Sequence, residues 1–401
     1  MSGPRLTDAS NTGSAADFEA AVARRVKVLR DQGAHDANIW AFPAPISADS
    51  VWTFHALKQL GVVALPTPPQ CTASLRAAYA AAVDLPTEAH TQLRLLTSGS
   101  TGQPSVVDLT TAQLDASVSA SQSRLGCDAT DRWLCCLPLH HIAGISILWR
   151  TAQAGATAVL QPDFEPRAVN RAIDDQGITM ISLVPSMLKR VLDDRNGRGF
   201  PDNLRVILLG GAPASSALID ECRAIQAPVA LTWGMTETAS QVATRMPGDL
   251  RRDPDVGLPL PGHTVSVEDG YLVVHGPIAP SGRFVTNDRG HLDTEGRVIV
   301  VGRGHRFIIS GGENVDPIRV ESILKEHPNI DDAVVIGVDD ERWGQRTEAF
   351  LVGDASAHID DYIRAKCEPH ERPKRIHWMR ELPRTSLGKI DRGALLREPS
   401  R

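Results

Sequence analysis

The sequence predicts an α/β protein: a large N-terminal domain of mixed and parallel sheets flanked by helices, with a small β-barrel-like portion, then a small α+β domain. Three observations carry this prediction. Short apolar runs closed by Pro or Gly, such as ITMISLVP (178–185) and LRVILLGG (204–211), read as parallel strands buried on both faces. Such runs alternate with helix-length segments. After about Pro259 the texture changes to short β-rich pieces punctuated by Gly and Asp.

Residues 1–15 read as a loose polar lead, followed by a helix over Asp17–Gln32. The segment from Asp49 to Pro66 reads as a helix (VWTFHALKQLG) running into a strand (VVALP). WLCCLPL (133–139) is strand-like and leads into an apolar helix, GISILWRTAQAG (144–155). ATAVLQP (156–162) is a strand before a helix near Pro166–Gln176. YLVVHGP, GHLDTEGRVIVVG and FIISGG predict hairpins and a small barrel-like sheet, with TEG as a turn. From Val315 the order is helix (PIRVESILKEH), strand (DAVVIGV), strand (RTEAFLVG), helix (IDDYIRAKC), strand (RIHWM). A boundary at Gly302–His305 gives domains of 1–302 and 303–401, within the two to three that 401 residues allow.

A net charge of −6 argues against a nucleic-acid groove, which needs a basic face. No stretch approaches the ~18 apolar residues of a membrane span, and the polar N-terminus lacks the apolar core of a secretion signal. The six cysteines form no C-x-x-C pair, which disfavours zinc and redox motifs and fits free thiols in a reducing compartment. A soluble cytoplasmic enzyme is the expectation, and a homo-oligomer is compatible with it.

LLTSGSTGQPSVV (95–107) is the first site motif. Its small hydroxyl and glycine residues let backbone N–H groups approach an anion closely, although a plain Ser/Gly surface loop has the same composition. It is not the G-x-x-x-x-G-K-[ST] loop. Downstream follow LLGGAPAS (208–215), TWGMTETASQ (232–241), RFVTNDRGHLDTEGRVIVVGRG (283–304), ISGGENVDPIRVES (309–322) and LPRTSLGKIDR (382–392).

In type, order and spacing these motifs resemble the adenylate-forming superfamily of acyl-CoA synthetases, luciferases and peptide-synthetase adenylation domains, over residues 50–396. The resemblance implies ATP, Mg²⁺ and coenzyme A, and a small-molecule carboxylic acid that is activated as an acyl-AMP. Two anions must then meet, so repulsion has to be cancelled and the groups aligned. The resemblance implies that the loop Thr97, Ser98, Gly99, Ser100, Thr101 and Gly102 holds the β- and γ-phosphates. It places adenine between Gly211, Ala212 and Pro213 on one face and Trp233 on the other, with Gly234 and Met235 continuing that motif. It gives Thr236 to the α-phosphate, Glu237 to Mg²⁺, Asp288 to the ribose with Arg303 nearby, and Lys389 to the bridge between carboxylate and α-phosphate. Gly311 and Gly312 become part of a pantetheine tunnel once a mobile C-terminal lid domain has turned about its hinge. Taken singly, Glu237 also reads as a helix-start acid, Asp288 as a turn former and Lys389 as a solvated charge.

LPLHHIAGISILWR (137–150) bears on the acid. His141 reads as a pocket wall. Arg150 closes an otherwise apolar helix, where it serves either the helix dipole or a second carboxylate of the substrate. With TETASQ, this stretch resembles the o-succinylbenzoate–CoA ligases of menaquinone biosynthesis, whose substrate has two carboxylates; Ser240 and Gln241 are then further substrate contacts. The alternatives are another aromatic or short-chain acid, a loader of a carrier protein, and a non-catalytic nucleotide-binding protein of the same fold. The sequence departs from the superfamily at Ser105, where a lysine is usual, at Asn287, where glycine is, and at His305 in the hinge. It also departs at His140 and Ala143 beside the acyl pocket.

Overall fold

The computed structural model describes residues 5–8, 11–34, 38–98, 104–249, 255–303, 308–310, 313–340, 342–355, 359–384 and 390–397. By internal contacts the chain forms two compact units. The first comprises 1–266, 273–284 and 292–299, and the second 267–272, 285–291 and 300–401.

The first unit is organised by a nine-stranded sheet. Its order is Leu258–Pro259, Ser240–Arg245, Val229–Met235, Val206–Leu209, Met180–Leu183, Arg132–Cys135, Thr157–Leu160, Arg5–Asp8 and Asn11–Gly13. The six strands from Val229–Met235 to Arg5–Asp8 run parallel. Successive residues of a strand face opposite sides of the sheet, and here both sides are core. Trp133, Cys135, Met180, Val206, Leu208 and Ala230 enter one apolar cluster. Leu134, Ile181, Leu183, Ile207, Leu209 and Val229 enter the other. These strands are therefore apolar at nearly every position.

The first cluster also holds the helices Ala15–Asp31, Ala48–Leu60, Thr111–Leu125 and Ile142–Ala154, and one face of a four-stranded sheet ordered Ile39–Pro43, Val63–Thr67, Thr91–Ser98, Pro104–Thr110. The other face of that sheet packs on the Ala73–Asp84 helix through Leu65, Tyr79 and Leu96. The helices Pro166–Asp175, Pro185–Arg195 and Ser216–Ala224 cover the far side of the large sheet. The result is five layers alternating helix and sheet.

The expected polar lead is instead structured: Arg5–Asp8 and Asn11–Gly13 form a hairpin, and Leu6 pairs with Ala158. The strand is only four residues long and RLTD carries a single large apolar residue, so the pattern hid it. The following helix begins at Ala15, capped reciprocally by Ser14 and Asp17. The other helix and strand expectations lie on the corresponding elements within a few residues, except that the strand in FIISGG, Ile308–Ser310, joins the five-stranded sheet of the second unit and not a barrel-like one. The TEG turn closes by a bond from the Gly296 N–H to the Asp293 carbonyl, at 3.0 Å. Residues 264–303 contribute a further four-stranded sheet.

In the second unit a five-stranded sheet centres on Gly344–Gly353, paired with Ile330–Asp340 and with Arg375–Met379. Val335, Ala349 and Leu351 pack on the helices Pro317–Lys325 and Asp360–Lys366, while Val334, Ile336 and Phe350 meet Leu382 and Leu395. All six cysteines are free; Cys71 is half-buried and the other five are buried. Burial pushes the thiols of Cys127, Cys135 and Cys222 up to about 12 and that of Cys136 up as well. Among the described residues no helix is long and apolar enough to cross a membrane.

Candidate active site

In an open α/β sheet, ligands bind at the carboxyl ends of the strands, where the strand order reverses. Here the reversal lies between Arg132–Cys135 and Met180–Leu183, because the chain first steps outward to Thr157–Leu160 and then returns. The segments leaving the carboxyl ends on the return side are those the sequence motifs single out. Register places Leu209 beside Leu231, so Gly211 and Trp233 both lie two residues beyond the same rung. Gly211, with φ of 81°, Ala212 and Pro213 are exposed at this edge. Trp233 keeps 7 % of its surface exposed.

The Val229–Met235 strand turns through the short helix Thr236–Thr238 into the antiparallel Ser240–Arg245 strand. The turn is tight. Ala239 has φ of 52° and Ser240 φ of 105°, conformations that side chains rarely adopt. They are held from outside. Ser117 Oγ donates to the Ala239 carbonyl at 2.7 Å, and Ser121 Oγ to Gln241 Oε1 at 2.6 Å. Ser117 and Ser121 are one helical turn apart on Thr111–Leu125. Gln241 Nε2 donates to Thr244 Oγ1 at 2.9 Å, so this buried carboxamide is engaged at both ends by protein. Thr236 and Glu237 occupy the apex, half-buried, and no described side chain forms an ion pair with Glu237. An unpaired carboxylate at the carboxyl edge of the sheet fits a hard cation.

The phosphate motif sits on a hairpin. Thr91–Ser98 and Pro104–Thr110 are antiparallel, with Ser98 opposite Pro104, and Thr97 Oγ1 donates to the Ser105 carbonyl at 3.4 Å. Beneath it lies Arg94, 1 % exposed, in a two-pronged bond to Asp108 at 2.6 Å for each prong. Arg94 also donates to the carbonyls of Ala82, Leu85 and Pro86. Ser105, the residue in place of the usual lysine, is an exposed strand residue. Gly99, Ser100, Thr101 and Gly102, which join the strands, lie outside the described residues, as do Gly311, Gly312, His305 and Lys389.

Asp288 belongs to the second unit. It and Thr286 are buried on one side of the Arg283–Leu292 strand, with Asn287 exposed between them. Thr286 Oγ1 donates to the Leu272 carbonyl at 2.8 Å and accepts from the Asp288 N–H at 3.1 Å. Asn287 does not take a positive φ, so this strand needs no glycine there. Arg303 ends the Val298–Arg303 strand.

The acid-side motif forms the start of the Ile142–Ala154 helix. His141 stands at its N-cap without making a capping bond, its ring 4.2 Å from that of His140. Burial pushes His140 down to about 4, so its imidazole is neutral at pH 7. The helix enters against the preceding strand end so closely that a Cβ at Gly144 would lie 2.4 Å from the Pro138 carbonyl oxygen. Gly144→Ala is expected to cost roughly 1–3 kcal/mol. It should lower the denaturant midpoint with unchanged slope and raise the KM for the acid; an unchanged midpoint would contradict this packing.

Arg150, on the same helix, is 2 % exposed. One Nη2 bond reaches Ser240 Oγ at 3.2 Å, and its guanidinium lies 5.6 Å from the centre of the Trp133 ring. Its Nε has no partner, and no described carboxylate is paired with it. Burial pushes its pKa down to about 9, with a smaller opposing effect from Cys127, so it is still a cation at neutral pH. Sequence reasoning singled out Arg150 and Ser240. It missed Trp133, Ser117 and Ser121, whose roles depend on contacts between elements far apart in the chain.

A profile of the AMP-binding enzyme family matches residues 82–286, and that of the AMP-binding enzyme C-terminal domain matches 319–389. The chain belongs to the AMP-binding enzyme family. Its relatives include the 2-succinylbenzoate–CoA ligase of Bacillus licheniformis, 36% identical over 332 residues, covering 75% of this chain and 69% of that protein. The 2-succinylbenzoate–CoA ligase of Listeria monocytogenes is 36% identical over 322 residues, covering 75% and 68%. The solved o-succinylbenzoate coenzyme A synthetase of Bacillus subtilis, in complex with its acyl-adenylate intermediate, superposes with a TM-score of 0.87 at 28% identity, over 100% of this chain and 96% of that one. The same enzyme in complex with ATP and magnesium gives 0.86 at 29%, over 98% and 97%.

Proposed function

We propose that the protein is an ATP-dependent, AMP-forming o-succinylbenzoate–CoA ligase acting in menaquinone biosynthesis. The carrying observation is Arg150: a buried cation, held by a hydroxyl and an aromatic face and paired with no described acid. Removing a charge from water is costly unless an opposite charge meets it. A substrate with a second carboxylate supplies that charge, and the acid named for the relatives has one. Ser240 shares this contact, and His141 walls the ring. Gln241, already bonded to Ser121 and Thr244, serves by holding Ser240 in place.

In the first half-reaction the other carboxylate attacks the α-phosphorus of ATP and pyrophosphate leaves. Ser98, Ser100 and Thr101 bind the β- and γ-phosphates, and Gly211–Pro213 with Trp233 hold adenine. Asp288, with Arg303, takes the ribose. Thr236 contacts the α-phosphate, Glu237 would hold Mg²⁺, and Lys389 spans carboxylate and phosphate. Bound there, Mg²⁺ supplies positive charge against the phosphate oxygens. In the second half-reaction the CoA thiolate attacks the acyl carbon and AMP leaves, with Gly311 and Gly312 lining the thiol's path. We assign the two steps to two settings of a C-terminal domain (303–401) against residues 1–302. The free, mostly buried cysteines support a reducing, cytoplasmic setting.

The test is acid-dependent pyrophosphate release over a panel of aromatic and short-chain acids, with and without CoA. Release confined to o-succinylbenzoate, and a thioester product only with CoA, is the expected result. Preference for a monocarboxylic acid would refute the substrate. Glu237→Gln is expected to raise the Mg²⁺ concentration for half-maximal rate by roughly tenfold. An unchanged Mg²⁺ titration would remove Glu237 from the metal site.

A further inference from the structure

We propose that Trp133 is a positioning residue for Arg150: its ring face, with no described carboxylate paired there, holds the guanidinium in place and leaves the full positive charge for the substrate. The inference rests on the reading of Arg150 as the partner of the substrate's second carboxylate. It adds how the protein keeps an uncompensated charge in a fixed place.

A buried arginine in a protein is ordinarily neutralised by an acid. Arg94 shows this within the same chain, with both prongs on Asp108. Arg195 donates to Asp174 at 3.0 Å, and buried Arg245 pairs with Asp255. An arginine so paired is well placed, but its charge is spent within the protein. Arg150 is placed by other means. The guanidinium lies over the Trp133 ring at 5.6 Å, and a single Nη2 bond goes to Ser240 Oγ. An aromatic face attracts a cation through its quadrupole and orients it without cancelling it. A hydroxyl fixes one N–H and carries no charge.

Trp133 is suited to this because it is itself immobile. It is 0 % exposed, sits on the Arg132–Cys135 strand at the centre of the large sheet, and its Nε1 donates to Ser182 Oγ at 3.1 Å on the adjacent strand. Ser240 is fixed from the other side. Its φ of 105° is enforced by the turn, where a Cβ at Gly234 would lie 1.7 Å from the Ser240 carbonyl oxygen. The two holders therefore come from a strand that flanks the topological switch and from the turn that carries Thr236 and Glu237. Arg150 lies between them on a helix. A carboxylate that meets the guanidinium finds a cation already oriented, so less conformational freedom is lost on binding.

The experiment compares o-succinylbenzoate with the two mono-acids in which one or the other carboxylate is replaced by hydrogen, using the full chain and varying ATP separately. Trp133→Leu keeps an apolar side chain but removes the π face. It is expected to raise the KM for o-succinylbenzoate about tenfold and to leave the KM for ATP and for whichever mono-acid is turned over unchanged. Trp133→Phe, which keeps a ring face, is expected to recover most of that loss. Equal losses for the mono-acid and the dicarboxylate would reduce Trp133 to a packing residue and overturn the proposal. Should the leucine variant fail to fold, Ser182→Ala decides: freeing the indole N–H is expected to raise the dicarboxylate KM about threefold, and no change overturns the proposal. Arg150→Ala runs in parallel. If it too fails to separate dicarboxylate from mono-acid, the substrate reading falls and the positioning role with it. If it separates them while Trp133→Leu does not, only the positioning role is lost.

Discussion

Arg150→Ala is expected to raise the KM for o-succinylbenzoate by about a hundredfold or more, while the KM for ATP stays within about twofold. Losing one partner of a buried charge contact costs roughly 2–5 kcal/mol, and each 1.4 kcal/mol is a factor of ten. Arg150→Lys should restore little, because a lysine lacks the planar fork that stacks on Trp133 while bonding Ser240. Arg150→Met adds an independent check. It keeps an unbranched side chain in the same space and removes a charge that no described acid offsets. The free protein is expected to gain stability, with Tm rising about 1–2 °C for each kcal/mol recovered. The pH window follows from the depressed pKa of Arg150. Burial pushes the guanidinium down to about 9, below its value in the unfolded chain, so below about pH 9 both states are protonated and the burial penalty is present in full. Above that the unfolded chain binds the additional proton, so wild-type stability from this group rises with pH and the advantage of Arg150→Met shrinks. A wild-type protein more stable than Arg150→Met at pH 7, with unchanged acid affinity, would contradict both halves of the argument.

Gly234→Ala is expected to abolish acid-dependent pyrophosphate release, to below about 1 % of wild type. The added Cβ would sit 1.7 Å from the Ser240 carbonyl oxygen and 2.6 Å from its carbonyl carbon. Both are backbone atoms, so nothing moves aside unless the turn itself opens. The turn carries Thr236 and Glu237 on one side and Ser240 on the other, so ATP and acid affinities should fall together. Measuring both KM values and the melting temperature separates this from global unfolding. A folded variant with intact affinity for either substrate would show that the turn tolerates opening. The contrast with Arg150→Ala, where only the acid is affected, is itself informative.

The sequence revealed some of these features and concealed others for physical reasons. Strands such as Met180–Leu183 and Val206–Leu209 were legible because both faces are core, which forces apolar residues at every position. Arg5–Asp8 was not, because a four-residue strand with one large apolar residue, RLTD, looks like a polar lead. Arg150 stood out as a cation closing an apolar helix, but Trp133 did not, because a tryptophan in WLCC is equally a core residue. Its second role arises only when the 142–154 helix folds back across the strand. Likewise Ser117 and Ser121 read as neutral helix positions, since their partners Ala239 and Gln241 are 122 and 120 residues away. Gln241 lay in a legible motif, yet a motif does not tell whether a carboxamide faces the ligand or the protein.

The burial of the cysteines has a practical side. Thiol reagents react with the thiolate at exposed sulfur, and Cys127, Cys135, Cys136 and Cys222 are buried, with pKa values far above the assay range. Consumption of CoA can thus be followed by colorimetric thiol titration of the native enzyme, with Cys71 as the chief source of background. A burst of additional reactive sulfur would then report unfolding in the same cuvette.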